Sequence, residues 1–167
     1  DYFARQKVGG VNLNFFIFKQ LPILQPQKYT HNDKIFVNPR VQELTYTSQD
    51  LKSFAIDMGY NGFPFIYNDT RRFQIRCELD AFFAQKYSLS RQELNYILDP
   101  CDVFGEGYVG ETFRVLKEKE CLDYGEYKTK RLILEIYDEM IECEKTGKQY
   151  QTKLDPPPGD PRAAHKE

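Results

Sequence analysis

The chain has 167 residues, the length of one ordinary domain, and its 41% hydrophobic and 29% charged residues exclude an intrinsically disordered protein. Its 23 basic and 25 acidic residues give a net charge of −2, which excludes a strongly basic protein that binds nucleic acid by charge alone. No apolar run reaches the ~20 residues of a membrane span, so we expect a cytoplasmic protein with no membrane partner.

The first part of the chain predicts a strand and an extended segment. Residues 11–18 are dense in β-branched and aromatic side chains and follow Gly9-Gly10, which is typical of a buried strand entered from a turn. Two prolines within residues 19–26 then force their predecessors into extended conformations. Residues 27–46 predict a loop, since Val37-Asn38-Pro39 is a turn pattern.

From residue 47 onward the sequence predicts helices. Capping residues and glycines bound them at about 47–58, 69–87, 90–98, 112–124 and 127–146. The second of these helices is apolar around nearly its whole circumference, so we expect it to lie at the centre of the fold. Arg76 and Asp80 share one of its faces at i,i+4 spacing, which predicts a structural ion pair.

The predicted fold is mainly α with an α+β element, in which a short N-terminal strand and extended segment pack on a multi-helix, bundle-like domain. Residues 1–46 form the first part and residues 47–150 form the helical domain. Residues 151–167 form a Pro-rich tail, which we expect to be extended and poorly packed because of its clustered prolines.

Catalytic and metal-binding patterns are weak in this sequence. The four cysteines, at positions 77, 101, 121 and 143, lack metal-site spacing and predict buried, reduced thiols. Glu126-Tyr127-Lys128 matches the Glu-x-Lys pattern of nucleases, but it lies between two predicted helices instead of on a sheet. We therefore expect no catalytic residue, no metal ligand and no cofactor in this chain.

A basic region in the first half is the candidate for ligand binding. Residues 1–80 carry a net charge of +2, whereas residues 81–167 carry −4. Backbone N–H groups at Gly9-Gly10 can hold an anion with the help of Arg5 and Lys7. Taken alone, the two glycines are better explained by an ordinary tight turn.

Long motifs extend over most of the chain. They are residues 1–10, Asn14-Phe15-Phe16, Lys19-Gln20-Leu21-Pro22, Arg72-Phe73, residues 76–81, 89–99 and 110–117, and Asp160-Pro161-Arg162. Together they resemble the C-terminal, target-recognition-side segment of large single-chain type II restriction–modification enzymes that methylate adenine in DNA. The Gln-Leu-Pro segment is also similar to the proline segment of type I specificity subunits.

The resemblance implies a parent enzyme that methylates adenine N6 with S-adenosylmethionine, in some members with a fused endonuclease, in bacterial defence. The family's cofactor-binding and base-binding motifs are not in this chain. We therefore expect a piece of a longer protein, beginning at Asp1, whose upstream methylase and recognition domains are its partners together with double-stranded DNA.

Three functional hypotheses remain open at this point. In the leading one the chain positions DNA through phosphate contacts, which we assign to Arg5, Lys7, Gly9 and Gly10, with Lys19, Arg71 and Arg72 behind them. The rival is a helical scaffold or protein-interaction module that does not bind DNA, as the acidic second half and the amphipathic helix at 127–146 suggest. An autonomous nuclease built on Glu126 is a third, which the helical context disfavours.

Overall fold

The computed structural model describes residues 2–8 and 12–166, and nine α-helices with three short 3-10 turns form the regular structure of these ranges. It contains no strand there, only an isolated β-bridge between Phe65 and Ala164. The helices are α1 (Tyr2–Lys7), α2 (Phe15–Phe18), α3 (His31–Thr45), α4 (Lys52–Asp57), α5 (Asp69–Lys86), α6 (Arg91–Leu98), α7 (Cys101–Phe104), α8 (Arg114–Tyr124) and α9 (Lys128–Lys145). None of these described helices combines the length and apolar composition of a membrane crossing.

The two longest helices, α5 and α9, pack along each other and form the centre of the fold. Their contact buries a continuous apolar cluster, and α6 adds to it. Ala81 of α5 and Ile136 of α9 are fully excluded from solvent. The central position predicted for the helix at 69–87 is therefore confirmed. Burial of each large aliphatic side chain in this cluster stabilises the fold by about 1.5–3 kcal/mol.

Short-range signals set most helix ends as the sequence predicts. Ser90 and Glu93 form a reciprocal capping box at the start of α6. Gly125, with a φ of 75°, ends α8 in the left-handed conformation that glycine adopts without strain. At α5 the sequence predicts Asp69 or Thr70 as the cap, but the cap is Asn68, whose side chain accepts the Arg71 backbone N–H.

The loop predicted for residues 27–46 is wrong over most of its length, because α3 occupies it. Thr30 and Asp33 cap that helix reciprocally: Thr30 Oγ1 accepts the Asp33 N–H at 3.2 Å and Asp33 Oδ2 accepts the Thr30 N–H at 2.6 Å. Pro39 lies inside the helix. The buried residues of α3 are Arg40, Gln42 and Glu43, all polar, so the sequence shows no apolar periodicity.

The predicted N-terminal strand is also wrong within the described residues. Residues 12–14 have no regular structure, with Asn14 extended, and residues 15–18 form α2. Asn14 begins this helix, since its side chain accepts the Ile17 N–H at 2.9 Å. A run of aromatic residues forms a strand only when a neighbouring strand pairs with it, and none does so here. The α+β element of the predicted fold is therefore replaced by an all-α arrangement in the described chain.

The tail after residue 150 is packed, contrary to the prediction. Ala164 is buried with Tyr46, Ala55 and Phe65 in a second, smaller apolar cluster. Backbone hydrogen bonds tie this part of the tail to the segment before α5: Ile66 N–H donates to the Ala163 carbonyl, and His165 N–H to the Pro64 carbonyl, both at 2.9 Å. The last residues therefore close the fold against its middle.

Candidate functional site

Helix α1 carries the first two predicted DNA contacts in its last turn. The side chains of Arg5 and Lys7 are exposed there. The helix is joined to the turn before α8, because Gln6 Nε2 donates to Thr112 Oγ1 at 2.6 Å and the Arg5 guanidinium lies 5.4 Å from the Phe113 ring centroid. The sequence brings these cations to an exposed surface, as phosphate contact requires. The predicted anion-holding turn at Gly9 and Gly10 lies outside the described residues.

Helix α2 places a third predicted contact, Lys19, beside exposed aromatic rings. Phe15, Phe16 and Phe18 keep 70%, 74% and 46% of their surface exposed. The Lys19 ammonium lies 4.5 Å from the Phe15 ring centroid, a cation–π arrangement. The buried strand expected at this position is thus an exposed aromatic helix. We call residues 2–8 and 12–28 the basic edge.

We call the rest of the described chain, residues 29–166, the helical body. The basic edge is attached to it by hydrogen bonds at two separate points. The Tyr87 hydroxyl donates to the Pro22 carbonyl at 2.6 Å, which gives a second attachment besides the one at α1. Between the two lies an open cavity of about 730 Å³, lined mainly by apolar side chains such as Phe83 and Ile133. Tyr127 also lines it, and its buried hydroxyl has no hydrogen-bond partner in the described chain.

Arg71 and Arg72, predicted to support DNA contact, make hydrogen bonds within the fold. Arg71 makes a bidentate pair with the Glu43 carboxylate and donates through Nη1 to the Pro156 carbonyl at 2.6 Å. Its side chain keeps only 13% exposure. Arg72 Nη1 donates to the Leu44 carbonyl at 2.9 Å. Arg71 therefore joins α5 to α3 and to the tail, and one Arg72 donor adds a second link between α5 and α3.

The buried ion pair of α5 is made by Glu78. Arg76 and Asp80, the predicted pair, have no N···O contact within 4.0 Å in the described structure; burial raises the pKa of the Asp80 carboxyl, and the Arg76 charge opposes that shift. Glu78, between them, is fully buried and pairs with Arg40 of α3 at 2.8 Å. Its second oxygen accepts the Thr152 hydroxyl at 2.6 Å. The sequence does not reveal this role of Glu78, because its partners lie 38 and 74 residues away along the chain.

One cluster has the donor atoms of a metal site. Asp99, Cys101 and Glu111 each bring one ligand atom within 4.8 Å of the others. The Lys117 ammonium donates to Asp99 Oδ1 and to Glu111 Oε1, both at 2.8 Å, and Lys130 donates to Asp99 Oδ2 at 3.2 Å. Burial lowers the pKa of Lys117, but these hydrogen bonds outweigh burial and raise it. The cluster is thus neutralised by lysine, and its chemistry fits a structural network.

The Glu-x-Lys pattern is likewise engaged in local contacts. Glu126 accepts a bidentate pair from Arg131, with Nε at 2.8 Å and Nη2 at 3.0 Å. The Lys128 ammonium lies over the rings of Phe73 and Tyr124, 5.0 and 4.7 Å from their centroids. The two groups therefore stabilise the start of α9, and the geometry does not assemble them around a common reacting atom.

All four cysteines are free thiols, but their predicted burial holds for one of them. Cys77 is buried in the central cluster, and burial raises the pKa of its thiol to about 12. Cys101 and Cys143 are half-buried, and Cys121 is exposed. The spacing of the cysteines in the sequence does not predict which of them is exposed, because exposure depends on which face of each helix packs against the core.

No family model, curated protein or solved structure matches this chain. Fold and site geometry define it as an all-helical protein, over the described ranges, with an exposed basic and aromatic edge attached to a tightly hydrogen-bonded helical body.

Proposed function

We propose that the chain is the recognition-side supporting module of a restriction–modification DNA methyltransferase specific for adenine N6. In this proposal the helical body braces the recognition region, and the basic edge contacts the DNA backbone. The motif resemblance along most of the sequence supports the choice of family. Methyl transfer from S-adenosylmethionine would belong to domains upstream of this chain.

The observation that carries the DNA contact is the charge of the basic edge. Its residues, 2–8 and 12–28, hold four basic side chains and no acidic one, whereas residues 29–166 hold 19 basic and 23 acidic ones. A cationic strip on an otherwise acidic protein directs a polyanion to that strip. Arg5, Lys7 and Lys19 on this strip are the proposed phosphate contacts.

The bracing role is supported by the way that charges are used in the body. Glu43, Glu78 and Asp99 are buried carboxylates, and each has cationic partners on another helix. Such networks fix the relative positions of helices, since a displaced helix leaves a buried charge unpaired. A rigid body of this kind is what a spacer between recognition and catalytic domains needs.

The salt dependence of DNA binding tests the proposal. The 167-residue chain is titrated with labelled duplex DNA between about 50 and 200 mM salt. Lys7→Gln should weaken binding to all duplex sequences alike and lower the slope of log affinity against log salt by about one unit. Lys145→Gln makes the same charge change on an exposed residue of α9 and should leave the slope unaltered.

The scaffold alternative makes the opposite prediction. Arg71 and Arg72 are committed to the fold, and the body is net acidic, which favours a module that only braces its neighbours. If the unsubstituted 167-residue chain fails to bind duplex DNA even at about 50 mM salt, where phosphate contacts are strongest, the DNA contact is refuted and the scaffold hypothesis is supported.

A further inference from the structure

Helix α2 exposes aromatic surface that the fold does not use. Phe15 and Phe16 keep about three quarters of their surface in contact with solvent, at 70% and 74%. No other aromatic ring has a centroid contact with either of them in the described structure. Adjacent exposed phenylalanines on a soluble protein mark a surface that binds something.

The chain holds these rings outward at a fixed place. On one side of α2, the helix α1 is tied to the body by the Gln6–Thr112 hydrogen bond at 2.6 Å. On the other side, Pro22 is tied by the Tyr87 hydroxyl at 2.6 Å. Asn14 caps α2 itself. Because the rings are presented on an ordered helix, a ligand binds them at a smaller entropic cost than on a flexible loop.

The positive charge of the segment that carries the rings indicates the kind of partner. Residues 2–32 carry four basic groups and no carboxylate. An apolar protein surface gains nothing from this excess of positive charge, whereas a nucleic acid strand does. The Lys19 ammonium lies over one face of the Phe15 ring, 4.5 Å from its centroid, and adds a cation beside the rings for the backbone phosphates of a bound strand.

We infer that Phe15 and Phe16 form a stacking platform for unpaired nucleotide bases, so that the basic edge binds an unpaired DNA strand more tightly than intact duplex. The inference rests on the proposed DNA contact of the basic edge and specifies that the bound DNA is single-stranded. Proteins that bind single strands combine the same two elements, cations along the backbone and aromatic faces for bases. Paired bases in a duplex do not offer their faces to such rings.

The test compares two DNA conformations on the same protein variants. The 167-residue chain is titrated with labelled oligo-dT of about 20 nucleotides and with a duplex of equal length. Phe15→Leu and Phe16→Leu keep the apolar bulk but remove the π face. Each should weaken oligo-dT binding about tenfold and duplex binding less than about twofold. Phe63→Leu, at another exposed phenylalanine, is the matched control and should change neither.

Two outcomes overturn the inference and are separable from failure of the proposed function. If the Phe15 and Phe16 variants bind oligo-dT as the parent does, or lose both DNA forms equally, the platform is refuted. The effect of Lys7→Gln on the salt slope still reports the backbone contact by itself. If the parent binds neither DNA form at low salt, both proposals fail, and the aromatic surface is assigned to a protein partner. Unchanged urea midpoints for all three variants establish that the fold is intact.

Discussion

The Arg40 guanidinium of α3 lies 2.8 Å from the Glu78 carboxylate of α5, with both side chains inside the protein. Side-chain exposure is 8% for Arg40 and 0% for Glu78. The other Glu78 oxygen accepts the hydroxyls of Thr152 at 2.6 Å and Tyr150 at 3.3 Å. A buried pair offsets its desolvation only when its remaining lone pairs are also satisfied, as they are here. This carboxylate therefore joins α3, α5 and the segment after α9.

Removing the Glu78 charge should strongly destabilise the protein. Glu78→Gln preserves shape but leaves the Arg40 guanidinium buried without a counter-charge, and we expect a loss of about 3–5 kcal/mol in the free energy of unfolding. Urea denaturation followed by circular dichroism measures the loss. The control, Asp138→Asn, breaks the exposed Arg91–Asp138 pair and should cost less than about 1 kcal/mol. Similar losses for the two variants would contradict the structural role of Glu78.

The Arg40–Glu78 pair cannot be predicted from the sequence, although the helix that carries Glu78 can. The helix at 69–87 and its central position follow from neighbouring residues, and the structure confirms them. Arg40 lies 38 residues before Glu78 on a helix that the sequence did not predict, because Pro39 and a polar buried face hid its periodicity. A pairing of this kind depends on which helices become neighbours, and that information is absent from local patterns.

In the candidate site, too, some features can be predicted from the sequence and others cannot. Exposure of Arg5 and Lys7 follows from their charge, which is a property of the residue itself. The contacts of Arg71 and the exposure of Phe15 do not follow from the type of residue. Arg71 is held by Glu43 and by tail carbonyls, and Phe15 is exposed because no strand pairs with its segment. Both outcomes are set by contacts, or missing contacts, with distant parts of the chain.

The contact between the tail and α3 is tight enough to be tested by one methyl group. Gly159 has a φ of +80°, and a Cβ built on it would lie 2.6 Å from the Pro39 Cβ. Its N–H also donates to Glu43 Oε2 at 2.8 Å. Gly159→Ala therefore combines the left-handed backbone penalty of about 1–2 kcal/mol with a steric overlap of about 1–3 kcal/mol.

The matched control for this prediction is Gly147→Ala. Gly147 has a φ of +67°, but an added Cβ would meet no atom within 4 Å, so only the backbone penalty applies. Urea midpoints of the two variants should differ, with the Gly159 variant the less stable. Equal midpoints would show that the tail does not press on Pro39 in solution.

A third prediction concerns acid stability and starts from Asp99. Burial raises the pKa of this carboxyl, but hydrogen bonds from Lys117 and Lys130 outweigh burial and hold it below its ordinary value of 3.8. The hydrogen bond from Lys117 likewise lowers the pKa of Glu111, and the one from Lys130 lowers that of Asp102. All three carboxyls thus bind a proton less readily in the native protein than in the unfolded chain.

The unfolded chain therefore takes up more protons than the native protein on acidification, so the free energy of unfolding falls as pH falls. The contribution of these carboxyls is complete above their unfolded values, 3.8 for aspartate and 4.5 for glutamate, and is lost as pH drops through the lower native values. Urea unfolding between about pH 7 and pH 2 measures this limb. Asp99→Asn should lower stability at neutral pH and flatten the acid limb. Asp123→Asn, at an exposed carboxylate of α8, should leave the limb as steep as in the parent, and an equally steep limb in the Asp99 variant would contradict the assignment.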